Sequence, residues 1–254
     1  MSESYLYPIW PSAPLNMRIK NCITTRWGGF SLPPYEEFNL ALHVGDDPNV
    51  VAANRAKLQE VLPSKPVWLN QVHGIEVFDA DHWVDDQIPT ADAAITSMPG
   101  RVLAIMTADC LPIMLCDKDA KVVGLVHAGW RGLSAGVIEK TVHAMLRKLG
   151  HQDASTITAY LGPAIGPSVF EVGAEVRAAF IEQHPEASLA FEPSGHPDKY
   201  LANLYRLAAQ RFERMSIRDV LGGDACTYSD EKFYSYRKNQ KTGRMASFIW
   251  LDVS

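Results

Sequence analysis

"RVLAIMTADCLPIMLCDKDAKVVGLVHAGWRG" (Arg101–Gly132) holds three apolar runs separated by short polar turns. "RVLAIMTA", "LPIMLCD" and "KVVGLVHA" are each the length of a buried strand and too short for a buried helix. The "DKDAK" turn marks the last two as a hairpin. A helix follows, since from Ser134 to Leu149 the apolar residues Ile138, Val142, Met145 and Leu149 step by 4, 3 and 4, and Gly150 is a natural stop.

Upstream, "RIKNCITTR" reads as a strand and "GDDPNVVAANRAKLQEVL" as a helix, with Asp47 at its cap and Pro48 in its first position. "PVWLNQV", "IEVFDA" and "DAAIT" read as further strands. Downstream, helices are expected from Val172 to His184, ended by Pro185, and from Tyr200 to Met215, with strands at "ACTYS", "FYSYR" and "SFIWL". Strands that cluster without regular β–α alternation favour an α+β fold over a doubly wound sheet. With no repeat, low-complexity tract or long linker, residues 1–254 are expected to form one catalytic domain.

At 254 residues and 47% hydrophobic, the chain can bury a large core, and its net charge of −5 supplies no basic stripe for nucleic acid. The N-terminus lacks the basic and apolar regions of a secretory signal, and the longest mostly apolar stretch, Val102–Leu115, is too short to span a bilayer and contains Asp109. A cytoplasmic protein is expected, with a small-molecule substrate and neither nucleic acid nor membrane as partner. Cys22, Cys110, Cys116 and Cys226 form no C-x-x-C pair and are expected to stay reduced.

His73 in "NQVHG", Cys110 in "TADCLP" and His127 in "VHAGWRG" stand at the ends of expected strands, and the hairpin lets the ends carrying Cys110 and His127 meet. A thiolate and two imidazoles suit zinc, and copper is also accommodated; three protein ligands would leave the open position of a catalytic metal. The same residues allow a Cys110 nucleophile activated by His127, or plain packing. Asp109 is either a turn cap or a carboxylate that orients a histidine. Arg131 offers a planar fork for phosphate or carboxylate, or simply covers Trp130. Arg26 in "TTRWGG", Asn39 and His43 in "NLALHVGDD", and Tyr236, Arg237 and Arg244 in "YSYRKNQKTGR" add polar density to loops.

"NQVHG", "ADAAIT", "TADCLPIML", "VHAGWRG", "LGPAIGP", "FEVG" and "FYSYRKNQKTGRMASFIWL" occur in this order. From "TTRWGG" to "FIWL" the chain resembles the YfiH/YlmD family, also called laccase-domain or multicopper polyphenol oxidoreductase proteins. The resemblance implies that His73, Cys110 and His127 bind a metal, zinc or formerly copper. It also implies an α+β fold of packed mixed β-sheets flanked by helices, similar to the catalytic domain of cytotoxic necrotizing factor, a Cys/His hydrolase. Family activities include purine nucleoside phosphorylase, methylthioadenosine phosphorylase and adenosine deaminase, while one bacterial branch edits muramyl-peptide precursors.

Four functions follow as candidates. A metal-dependent purine nucleoside phosphorylase and adenosine deaminase is the leading one, with Cys110, His127 and Asp109 catalytic and Arg26, Asn39, His43, Arg131, Tyr236 and Arg237 toward substrate. An amide hydrolase acting on cell-wall precursors is the alternative. True laccase chemistry fits poorly, because the chain has eight histidines and no H-x-H pair. A zinc-stabilised binding module would need a fourth protein ligand, such as His43.

Overall fold

The computed structural model describes residues 6–7 and 18–253. A two-residue strand, β1 (Leu6–Tyr7), precedes β2 (Ile19–Thr24). Helix α1 (Pro48–Gln59) starts as expected: the Asp47 carboxylate accepts from Asn49 N, and Pro48 occupies a position where no N–H is needed. "PVWLNQV" does not form a strand and makes only the bridges Val67 to Leu103 and Asn70 to Thr90. The central strands are β3 (Val77–Asp79), β4 (Ala93–Thr96), β5 (Leu103–Thr107), β6 (Leu111–Asp117) and β7 (Val123–Ala128). Asp117 closes the β6–β7 hairpin by accepting from the N–H groups of Asp119, Lys121 and Val122.

The helix expected from Ser134 is two helices, α2 (Trp130–Ala135) and α3 (Val137–Leu149). Gly136, at φ +99°, is the C-cap of one and the N-cap of the next, a left-handed conformation that glycine adopts without steric cost. β8 (Ile157–Leu161) and β9 (Glu171–Gly173) follow. Because residues 171–173 pair as a strand, the next helix, α4 (Ala174–Ile181), begins later than the periodicity suggests. β10 (Phe191–Pro193) and β11 (Lys199–Ala202) come next. Asn203 then caps α5 (Leu204–Arg214), accepting from Arg206 N, so Tyr200 and Leu201 are strand residues. β12 (Asp219–Gly222) and β13 (Met245–Leu251) complete the elements. "ACTYS" makes one bridge, from Cys226 to Ala164. "FYSYR" forms no strand, because its N–H groups go elsewhere: Phe233 to Asp230 O, Tyr234 to Met245 Sδ and Arg237 to the Asp109 carboxylate.

The strands form a six-stranded mixed sheet, β12-β8-β6-β7-β4-β3, a four-stranded antiparallel sheet, β1-β2-β13-β5, and a small antiparallel sheet, β10-β11-β9. Alternation along the strands sorts the core. Leu111, Ile113 and Leu115 face Ile138, Val142 and Met145 of α3. Met114, Cys116, Val123 and Leu125 face the other way, onto Ile23, Leu103, Ile105 and Ile249 of the four-stranded sheet. Cys22, Ala104, Met106 and Phe248 cover that sheet's far side against Phe38, Leu40 and Leu58. The order is helix, sheet, sheet, helix: a mixed α/β sandwich whose two central sheets share a core.

Candidate functional site

Cys110 lies where the chain leaves the four-stranded sheet at the end of β5 and enters the six-stranded sheet at the start of β6. Asp109 makes that crossing with φ +89°, a conformation its short polar side chain tolerates. His127 is the penultimate residue of β7, opposite Pro112 in the register, so it lies beside the crossing. Its position along β7 gives it the same face as Val123 and Leu125, the one turned to the other sheet. His73 comes from an irregular segment pinned on both sides. Gln71 makes two strand-like bonds to β5, accepting from Met106 N and donating to Met106 O, while Asp92 holds the next three residues.

The donor atoms of His73, Cys110 and His127 all lie within 4.8 Å of one another. Cys110 Sγ is 3.8 Å from His73 Nε2, and the two imidazole rings stand edge to face with centroids 4.8 Å apart. A tetrahedral zinc with ordinary Zn–S and Zn–N lengths places sulfur and nitrogen ligands about 3.5 Å apart. The set therefore fits a metal in both chemistry and spacing. His73 is exposed, Cys110 partly so, and His127 buried, which leaves one side open to an incoming group.

Asp92 organises the cluster. It is fully buried at the entry to β4, and its carboxylate accepts from Val72 N (3.2 Å), His73 N (2.9 Å), Gly74 N (2.7 Å) and His127 Nδ1 (2.8 Å). With Nδ1 committed to Asp92, His127 presents Nε2 to the cluster, as metal-bound histidines oriented by a carboxylate do. Burial raises the Asp92 pKa, but the bonds from His127 and Gly74 outweigh it and hold the carboxyl below the usual range. Burial also opposes ionisation of Cys110, but the His127 charge and hydrogen bonds from both histidines bring the thiol down to about 6. Desolvation lowers His127, and attraction to Cys110 and bonding to Asp92 carry it up to about 9. Without metal, the two shifts each favour the thiolate–imidazolium pair.

Gly129 caps α2 against this cluster. A Cβ there would stand 2.8 Å from His73 Cδ2 and 3.0 Å from Cys110 Sγ, so only glycine fits.

The other candidates fall into different places. Asp109 holds no histidine: its carboxylate accepts from Thr227 Oγ1 (2.6 Å) and Arg237 N (2.6 Å), tying the C-terminal loop to the rim of the site. Asn39 braces its own loop. It is fully buried, its amide donates to Ala41 O and Asp46 Oδ2, and its oxygen accepts from Ala41 N and Arg244 N. Arg131 lies over the Trp130 ring at 4.5 Å. Arg26 pairs with Glu36 at 3.3 Å and lies 5.2 Å over the Tyr234 ring. It lines a cavity of about 440 Å³ with Glu37, Phe233, Ser235 and Lys238, and none of the cluster residues borders that cavity. Arg237 reaches Val169 O and the Phe170 ring. His43 has no hydrogen-bond partner among the described residues and does not join the cluster; desolvation, then the Arg244 and Arg55 charges, hold its pKa below the usual histidine value. Tyr236 is exposed, with the Arg244 guanidinium 5.6 Å from its ring centroid.

Sequence reasoning missed Asp92 as the orienting carboxylate, although an acid inside the apolar run "ADAAIT" demands a partner. It also gave Arg244 no role. No described helix is long and apolar enough to cross a membrane.

The model of the multi-copper polyphenol oxidoreductase laccase family matches residues 20–252. The chain is 50% identical over 248 residues to a Shigella flexneri protein named purine nucleoside phosphorylase YfiH, covering 96% of this chain and 98% of the relative. It is 47% identical over 250 residues to a purine nucleoside phosphorylase of Pseudomonas aeruginosa, covering 98% and 99%. A crystal structure of a Neisseria meningitidis protein, 41% identical, superposes with a TM-score of 0.90, covering 98% of this chain and 100% of the other.

Proposed function

The chain belongs to the multi-copper polyphenol oxidoreductase laccase family, and from that premise we propose that it is a metal-dependent purine nucleoside phosphorylase that also cleaves methylthioadenosine and deaminates adenosine. The carrying observation is the convergence of His73, Cys110 and His127 on one point with Asp92 bonded behind them. The names of the relatives supply the substrate class.

His73, Cys110 and His127 would hold zinc, with copper the other fit. A metal so held with an open position supplies a Lewis acid and lowers the pKa of water to about 7. Asp92 keeps the His127 ring fixed and its Nδ1 proton in place. Tyr236 offers a ring face against which a purine can stack. Asp109, with both oxygens engaged, acts by positioning: it carries Arg237, and the loop holding Tyr236, to the rim.

The ionised Cys110 favours one second reading, in which it attacks an amide of a muramyl-peptide precursor. A toxin-like Cys/His hydrolase fold would belong with that reading. Laccase chemistry is not favoured, because the described residues gather a single three-residue metal-type cluster.

Chromatography of adenosine incubated with phosphate and the protein tests the proposal, with Cys110→Ala in parallel. Adenine, inosine or hypoxanthine formed by the wild type alone is the expected result. No product from metal-loaded wild type overturns it and directs the search to muramyl-peptide substrates.

A further inference from the structure

Beside the cluster stand two arginines and a histidine that have no counter-ion among the described residues. Arg244, immediately before β13, donates NH1 to Thr242 O and Gly243 O, both at 3.0 Å, which leaves Nε and NH2 without a protein partner. Arg55, on α1, donates Nε and NH2 to Leu40 O and lies 4.1 Å over the Trp68 ring, which leaves NH1. His43 stands on the loop between them. That loop is clamped to both arginines, through Asn39 Oδ1 accepting from Arg244 N and Leu40 O accepting from Arg55. None of the three side chains has a carboxylate within ion-pair distance among the described residues. Nearby acids are already engaged: Asp46 by Ser31 and Asn39, Asp109 by Thr227 and Arg237.

The chain thus pins Arg244 and Arg55 by hydrogen bonds to backbone carbonyls and leaves further guanidinium N–H groups of both open, beside the His43 ring, whose pKa desolvation and then their charges hold below the usual histidine value. Held partly buried, such charges are costly without an anion and form a preorganised site for one. Arg244 directly precedes Met245, which pairs with Thr107 of β5 three residues before Cys110, so it lies on the cluster's side of the loop, and its guanidinium stands 5.6 Å from the Tyr236 ring centroid.

We infer that Arg244, with His43 and Arg55, forms the subsite for the phosphate oxyanion, next to the cluster and to the ring of Tyr236. The assignment rests on the phosphorolysis proposed above, and it moves phosphate recognition away from Arg26, whose fork is taken by Glu36. A planar fork suits phosphate here where an ammonium would not, so Lys should not replace Arg244.

The test is calorimetric binding of inorganic phosphate to the full chain, with AMP as a second probe and bound metal measured in every sample. Arg244→Gln should weaken phosphate at least about tenfold, as expected when charge-assisted bonds are lost. His43→Gln, at an exposed residue with no hydrogen-bond partner among the described residues, should weaken it less without disturbing the fold. Metal content and melting temperature should not change. Phosphate binding unaltered in Arg244→Gln overturns the subsite, as does the absence of phosphate binding by the wild type. AMP binding that depends on Arg244 while inorganic phosphate does not would overturn the co-substrate assignment. Because binding is read without turnover, failure of nucleoside cleavage is a separate result.

Discussion

Asp92 carries more of the site than any ligand does. Its two oxygens take four donors in a fully buried position, three from the backbone around His73 and one from the His127 ring. Asp92→Asn turns one acceptor into a donor facing N–H groups, so it should lower metal affinity about 10–100-fold and cost about 3 kcal/mol of stability. Metal titration and denaturant unfolding read the two effects separately; full affinity in the variant would deny Asp92 its orienting role. The cysteines offer a second test. Burial pushes Cys22 and Cys116 up to about 12, whereas Cys110 sits at about 6 and Cys226 is also lowered, burial being outweighed by bonds from Ser229 and Gly166. Alkylation of metal-free protein at neutral pH should label Cys110 first, Cys226 more slowly, and Cys22 and Cys116 only on unfolding. Peptide mapping that finds Cys22 labelled as fast as Cys110 would contradict this. Cys110 and His127 were legible because their types and strand-end places stand out, and His73 by its type although its segment forms no strand, while Asp92 was hidden by its neighbours: only three-dimensional burial reveals what one acid among alanines must bond.

The elements were legible where local chemistry fixes them. Asp47 and Pro48 announce α1, Gly150 ends α3, and the apolar runs of β5, β6 and β7 match their strands within a residue or two. They were illegible where partners decide. β8 and β12 lie in weakly patterned sequence: β8 exists because it pairs antiparallel with β6, and β12 because it adds to β8 in parallel as the sheet's edge, while residues 200–202 left the expected helix to join β9 and β10. The break at Gly136 belongs to this scale. It lets α2 pack its start on the cluster while α3 lies along the sheet, and Arg211 of α5 bridges the two by donating to Ser134 O and Glu139 Oε1. Gly136→Ala should cost about 1 kcal/mol through its positive φ, visible as a lower urea midpoint with unchanged slope. At the far end of α3, Lys148 binds Asp79 and Asp81, and Asp81 also accepts from Thr96 and Ser97. Burial raises the Asp81 pKa, and these bonds overcome it to hold the carboxyl far below its ordinary value. A depressed folded pKa gives stability that is present above the unfolded value near 4 and lost as pH falls below it. The stability gap between wild type and Asp81→Asn should therefore be full at pH 7 and shrink steadily below about pH 4. A gap independent of pH would remove ionisation from the explanation.

At the scale of the molecule, the site is a consequence of how two sheets are joined. The chain steps from one to the other at Ala108–Cys110, and β13, from the far end of the sequence, fills the place between β2 and β5. No local signal in "SFIWL" specifies those neighbours, so the sheet order was not legible although the strand was. Because His73, Cys110 and His127 arrive from three separate segments, a metal bound by all of them ties the β5–β6 crossing, the end of β7 and the loop before β3 into one unit. Binding to the native state alone then stabilises it by mass action, about 2.7 kcal/mol at a hundredfold excess over Kd, or several degrees of melting temperature for a domain of this size. Removing metal with a chelator should lower Tm by that amount, and adding zinc should restore it. Cys110→Ala should melt at the metal-free temperature whether or not zinc is present, since its loss opens the set to two imidazoles. Gly129→Ala should behave in the same way for a different reason, its Cβ forcing His73 and Cys110 apart while every ligand remains. If Gly129→Ala still gains the full stabilisation from zinc, the close approach of α2 does not hold the ligands together. If Cys110→Ala gains it, the metal is bound somewhere other than this cluster.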